Sequence, residues 1–442
     1  MYFFSVLFGL IQFALISYIL IAEVKKKSAA AFLWATLFVM FAFPHLVTAI
    51  IEDMAFSTET ILKSSVFVVG FCLVYLLFRS RKSVGFVALR ANRFFEIGES
   101  GIEGTAFEQL CFFLFLIAII GYIASIVRAE GGMMNTSWSG ARSIQHGYVS
   151  IAGLAIRFIF MFSGLSLFFF LTGRRIKAGI VLLLFCILVL ITRNRVQILP
   201  VLLFFISLYL LKIKTIRTGH IITGIVLGIG VIYIVYAIRA FRYLGTISNA
   251  LSNLSWEYIN TMVLKFLGSN NGELGLRQYF YFFIEQKNGF EGFNRGYTYI
   301  RMLLVYIPSQ FTFGLKPQSF DLYMGKAIGM IAGGTTHPTL FADCFGNLNW
   351  FGIALGGVWA GIANGIDSVI SRERENLYKI LLFYLASYSF VVIGRGSVYN
   401  GFEEFAWGFL FLYLLKTYLF KLTRVRLVFG NKTSCSQIAD TH

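Results

Sequence analysis

Arg193 and Arg195 flank Asn194 in a short turn between two apolar runs, where the chain's charge pattern disfavours positive charge. Two guanidinium forks within three residues can grip a phosphate or pyrophosphate through several charge-assisted hydrogen bonds. The blander alternative is a hairpin turn anchored among lipid headgroups. Arg157 raises the same question from inside an apolar run, about seven residues or roughly 10 Å below its end. At that depth an arginine faces a polar cavity, snorkels to the surface or pairs with a carboxylate. His337 and Asp343 form the third feature, in the run Thr336-His337-Pro338-Thr339-Leu340-Phe341-Ala342-Asp343-Cys344-Phe345-Gly346-Asn347. If the run is helical from Leu340, Asp343 lies one turn before Asn347 on the same face. A histidine and a carboxylate there could act as general base or orient a hydroxyl. Equally, the histidine could be satisfied by turn backbone and the aspartate could sit near a helix N-terminus. Glu403 and Glu404 read as helix N-terminal charges.

The elements that must hold these residues are membrane helices. The chain has 442 residues, 57% hydrophobic and 13% charged, with 49 Phe and 5 Pro. Apolar runs of about 17 to 25 residues are long enough to cross a bilayer. Eleven are expected, at 2–22, 32–51, 60–78, 107–127, 149–171, 179–192, 196–211, 220–238, 346–366, 377–394 and 402–420. The first lacks a basic leader and a small-residue cleavage site before Glu23, so it reads as a span and not a signal peptide.

Basic residues concentrate in alternate loops, from Lys25, Lys26 and Lys27 to Lys421, Arg424 and Arg426. Basic loops stay cytoplasmic, which puts the N-terminus outside and the C-terminus inside. The net charge of +17 is then the signature of loops against anionic lipid and not of nucleic-acid binding. On the outer loops Arg outnumbers Lys ten to four, whereas the inner loops carry eleven Arg and nine Lys. The outer set includes Arg142, Arg277, Arg295 and Arg395, so with Arg157, Arg193 and Arg195 seven arginines are candidate ligands for an anionic group.

One long hydrophilic insertion, 239–345, separates a membrane domain at 1–238 from a second at 346–420, and a tail follows at 421–442. Its 21 aromatic residues argue against a linker. Tyr279 to Ile284 and Tyr297 to Ile307 suit helices lying at the bilayer surface, so the insertion is expected to form a cap. Gly352, Gly356, Gly357, Gly361 and Gly365 give three GxxxG spacings, read as close helix packing. The five cysteines and five histidines are scattered, without metal or redox spacing. No GxxxxGK[ST] loop occurs, which disfavours an ATP-driven machine.

With these residues in place the chain resembles the bacterial O-antigen polymerase (Wzy) family and, more broadly, the O-antigen ligase superfamily. Arg142 through Gly153 is similar to that family's Arg-x10-Gly pattern; the corresponding second match after Arg295 or Arg301 is missing. Thr192-Arg193-Asn194-Arg195 resembles the superfamily's Thr/Ser-Arg turn. His337 through Gly352 resembles its acidic-then-Asn-Phe-Gly span entrance, with Asp343 where Glu is commoner.

The resemblance implies an all-α, GT-C-like polytopic fold with a large periplasmic loop between spans eight and nine. It implies polymerisation of undecaprenyl-pyrophosphate-linked repeat units at the periplasmic face of the inner membrane, with no cofactor and no metal. The arginines would bind the pyrophosphate, His337 or Asp343 would serve as base, and a chain-length regulator would be a partner. A ligase is the alternative within the superfamily. A lipid or solute transporter, which would show internal repeats, is the alternative of another class.

Overall fold

The computed structural model describes residues 1–51, 56–80, 102–137, 139–141, 158–212, 218–268, 275–285, 296–307, 311–318, 320–327, 337–373, 375–396 and 398–419. Arg142, Arg157 and Arg295 lie outside the described residues. The protein is an all-α multi-pass membrane protein, and the described residues contain no strand beyond a lone antiparallel bridge between Ser137 and Thr246. Among the described residues seven helical stretches are long and apolar enough to cross a membrane. They are Tyr2–Lys26, Ala30–Ile51, Thr58–Phe78, Phe107–Ala129, Arg175–Thr192, Thr339–Arg372 and Asn376–Arg395, and Phe158–Leu171 and Arg195–Leu210 are shorter apolar helices.

In chain order the helices are α1 (Tyr2–Lys26), α2 (Ala30–Leu37), α3 (Phe43–Ile51), α4 (Thr58–Phe78) and α5 (Ile102–Ala129). Next come α6 (Leu165–Leu171), α7 (Arg175–Thr192), α8 (Leu199–Lys212) and α9 (Thr218–Arg242). The insertion carries α10 (Ile247–Asn253), α11 (Trp256–Gly268), α12 (Arg277–Glu285), α13 (Tyr297–Leu303) and α14 (Phe320–Ala327). The last four are α15 (Thr339–Leu348), α16 (Leu355–Arg372), α17 (Asn376–Arg395) and α18 (Val398–Leu414).

A wide π turn, Phe38–Ala42, joins α2 to α3 just before Pro44. Proline has no N–H and its ring crowds the carbonyl four residues back, so the widened turn relieves the defect without ending the span. Helix α17 is the centre: 89% of its apolar window is buried, against 28% for α1 and for α5 at the lipid-facing rim.

Two departures from the sequence reading matter for function. The expected ninth span, 346–366, is preceded by a fully interior helix, α15, which stops at Asn349 in a left-handed conformation (φ 53°). A tight 3-10 stretch, Asn349–Ala354, then leads into α16. The segment 279–284, expected to lie at the bilayer surface, belongs to α12, which buries Phe280, Tyr281 and Phe283 completely and packs on α4 and α15. That face of α12 is therefore part of the core, because burying the rings of Phe280, Tyr281 and Phe283 against protein removes a large apolar surface from water.

Candidate functional site

Helix α13 is pinned to α15 by two side-chain bonds. Tyr299 Oη donates to Asp343 Oδ1 at 2.9 Å, and Thr298 Oγ1 donates to Asn347 Oδ1. Asn347 Nδ2 donates in turn to the Asp343 carbonyl oxygen at 3.1 Å, which is the one-turn relation expected from the sequence. Burial and the neighbouring Asp343 carboxylate push the Tyr299 phenol well above its ordinary range, so it remains a donor. Asp343 is 3% exposed. Its carboxylate belongs to the joint between cap and membrane helices, a position that holds neighbours in place and does not face open water.

The joint aims Arg301, one turn after Thr298, at the start of α18. Its guanidinium carbon lies 4.1 Å from the centre of the Tyr399 ring, and Nη1 donates to the Pro317 carbonyl at 2.7 Å. Lys316 Nζ lies 5.8 Å from the same ring centre and donates to the Ile307 carbonyl at 2.8 Å. A ring face is electron-rich, so Tyr399 holds two cations together that would otherwise repel. Tyr306 Oη donates to the Ala406 carbonyl at 3.1 Å, tying the end of the same cap segment to α18.

The turn between α17 and α18 brings Arg395 to this place. Gly396 there has φ 102°, and a Cβ on it would lie 2.2 Å from the Thr339 amide nitrogen and 2.8 Å from that of Pro338. Only glycine allows that approach. The approach sets the half-buried Arg395 beside the stretch that begins at half-buried His337. Thr339 itself has φ 70°, a conformation that β-branched residues rarely adopt and that costs about 1–3 kcal/mol. Arg395 and Glu404 both act electrostatically on Tyr388, which places a carboxylate on the same side. Arg301 and Lys316 therefore meet over Tyr399 at the start of α18, and the turns that carry Arg395 and His337 lie side by side at the same end of the bundle. Such a cationic, aromatic lining suits an anion that carries an apolar or sugar substituent.

The other arginines lie elsewhere. Arg193 caps α7 in a left-handed conformation (φ 48°) and is 0% exposed. Its Nη2 donates to the Thr136 carbonyl at 2.6 Å, Nη1 to the Gly245 carbonyl, and its guanidinium lies 5.3 Å from the Phe241 ring centre. The fork expected to clamp pyrophosphate instead ties two loops together. Arg195, half-buried, begins the 3-10 turn Arg195–Ile198 beside it. Arg277 Nε donates to Thr48 Oγ1 at 2.8 Å, joining α12 to α3.

Three participants escaped the sequence reading as a group: Lys316, Tyr399 and the aim of Arg301. The available signal was Arg301 within an aromatic stretch, three residues after Thr298. Also missed was His45, whose Nδ1 is 2.5 Å from Tyr281 Oη and whose Nε2 is 2.7 Å from Ser65 Oγ. It joins α3, α4 and α12 inside the core. Among the described residues no group of three His, Cys, Asp or Glu could hold a metal ion.

Together, fold and site define a helical multi-pass membrane protein with a cationic, aromatic cluster where its cap meets the ends of α15, α17 and α18. No family model, curated protein or solved structure matches the chain.

Proposed function

We propose that the protein is a polysaccharide polymerase of the bacterial inner membrane, a glycosyltransferase that uses a lipid-pyrophosphate donor. The growing chain on undecaprenyl pyrophosphate would be transferred to the non-reducing sugar hydroxyl of a new lipid-linked repeat unit. In this reading eleven spans leave the N-terminus and the 239–345 cap periplasmic and the C-terminus cytoplasmic. The observation that carries it is that Arg301 and Lys316 meet over Tyr399 at the end of the helix bundle where the turns carrying Arg395 and His337 lie side by side.

Attack of the acceptor hydroxyl on the anomeric carbon forms one C–O bond and breaks the bond to pyrophosphate, which leaves with its charge on the lipid. That leaving group needs electrostatic stabilisation more than it needs an acid, and preorganised cations supply it. Placing two lipids side by side supplies the rest through proximity. His337 is the group in this cluster able to accept the acceptor's proton near neutral pH. Asp343 acts through Tyr299 by holding α13, and with it Arg301, in place.

Reconstitution of the full chain with synthetic undecaprenyl-pyrophosphate repeat units tests the proposal. A ladder of products without added nucleotide is the expected result. Intact substrate in the presence of folded protein would refute it. Transfer to a lipid A-core acceptor without a ladder would identify a ligase instead.

A further inference from the structure

An apolar cleft of about 310 Å³ lies between α16, α17 and α18. Trp359, Ile366, Phe402 and Phe405 are among its walls, and Gly365 and Ala386 are the smallest residues in its lining. Along α16 it runs from Trp359 to Ile370 and along α17 from Leu382 to Ile393, a length of ~16 Å, about half the hydrocarbon thickness of a bilayer. Its lining is almost wholly apolar and belongs to membrane-crossing helices, so hydrocarbon, and not water, is the chemistry that fills it.

Two further observations narrow the occupant. A Cβ on Gly356 would lie 2.4 Å from the Phe71 carbonyl oxygen, so helix packing requires that glycine. A Cβ on Gly365 would meet nothing within 4 Å. Glycine disfavours a helix relative to alanine, and at 365 no packing contact offsets that, whereas space for a guest does. Ser389, 2% exposed and part of the lining, has a buried hydroxyl without a hydrogen-bond partner. Ser387, two residues earlier, satisfies its own hydroxyl on the Phe383 carbonyl at 2.7 Å. A saturated acyl chain offers Ser389 nothing, but the π face of an alkene is a weak acceptor. Ile393 and Phe402, at one end of the cleft, bracket the turn that carries Arg395, so a chain lying in the cleft delivers its anionic head to the cationic cluster.

We propose that this cleft holds the first isoprene units of a polyprenyl chain, with its diphosphate at Arg395. The inference rests on the lipid-pyrophosphate reading above and adds the place and the unsaturated chemistry of the lipid. The probe is a polyprenyl diphosphate without sugars, bearing a diazirine near its head, added to the full chain in discs of saturated-chain phosphatidylglycerol. Expected labelling falls within 359–370, 382–393 and 402–409. Gly365→Leu and Ala386→Phe, which fill the cleft, should weaken retention about tenfold or more while sparing inorganic pyrophosphate binding. Arg395→Gln should weaken both.

Labelling spread over the rim helices α1 and α5, or equal displacement of the probe by a saturated phospholipid, would overturn the proposal. The label map requires no variant, so it decides the question even if the filled cleft fails to fold. Ladders from wild type and filled variants alike would remove the cleft and leave the polymerase. Labelling in the cleft without ladders would do the reverse.

Discussion

Arg193 and Arg395 both stood out in the sequence as arginines on the wrong side of a membrane, and their partners separate them. Both terminal nitrogens of Arg193 are engaged by backbone carbonyls of two different loops. Lysine can serve only one of those carbonyls, and a hydrogen bond from a charged donor contributes about 1.5–3 kcal/mol. Arg193→Lys should therefore destabilise the protein by about that amount in thermal or denaturant unfolding, with activity falling only as the folded fraction falls. Arg395→Gln should lower polymerisation by folded protein about 10- to 100-fold, the size of a lost charge-assisted contact to the leaving group. A folded, fully stable Arg193→Lys protein unable to bind inorganic pyrophosphate would reverse the two roles. At the other end of α17, burial pushes the Glu375 carboxyl up to about 7, opposed by Lys416 and reinforced by Glu373. The folded protein thus keeps a proton that the unfolded chain releases near 4.5. The sign follows: this contribution is least unfavourable below pH 4.5 and stability falls as pH rises through about 7, by at most about 1.4 kcal/mol per unit. Unfolding measured from pH 5 to 8 should show the decline in wild type and a flatter profile in Glu375→Gln.

At the scale of elements, the glycines of α16 divide by what faces them. Gly356 sits against the Phe71 carbonyl and the Tyr75 amide of α4, whereas a Cβ on Gly361 would meet nothing within 4 Å. Gly356→Ala should force α4 and α16 apart and cost about 1–3 kcal/mol, the usual size of overpacking, whereas Gly361→Ala should stabilise by about 0.5–1 kcal/mol. Equal effects in an unfolding assay would mean that the two helices are not held at this contact. The GxxxG spacing was legible in the sequence because a period of four marks a helix face, but only the packed structure shows that 352 and 356 are contacts and 361 and 365 are not. The same limit hid the character of α12. Its aromatic run reads equally well against headgroups or against protein, and composition does not distinguish the two surroundings. His337 and Asp343 were legible as polar residues in an apolar entrance. Their separation into a half-buried turn and an interior joint depended on Gly396 and Tyr299, which lie 53 and 44 residues away from Asp343 in the chain.

Across the whole molecule, the bonds between distant segments fall into two sets that follow the charge pattern. On the face that carries the basic loops, buried Arg79 bonds Glu23 at 2.6 Å, Asp367 at 2.5 Å and Ser28 at 3.0 Å, fastening the ends of α1, α4 and α16. Arg174 with Glu108, and Lys416 with Glu373, belong to the same face. On the opposite face Arg277 reaches Thr48, Glu285 accepts from Thr60, and Arg193 holds Thr136 and Gly245. None of these bonds joins a segment of one set to a segment of the other. Arg79 and Arg193 are matched at helix ends and not at mid-membrane, where desolvation would cost most. Labelling with a membrane-impermeant maleimide follows from this sorting. Cys72, Cys111 and Cys344 are buried and Cys186 lies in α7, so Cys435→Ser gives a quiet background. Ser139→Cys and Ser248→Cys, both exposed, should react in intact cells, whereas Lys25→Cys and Arg175→Cys should react only after permeabilisation. Reversal at all four would invert the orientation and place the cationic cluster in the cytoplasm, where a lipid-linked periplasmic substrate could not reach it. Because Ser137 pairs with Thr246, positions 139 and 248 must behave alike. A difference between them would break the alternation of spans from α5 to α10.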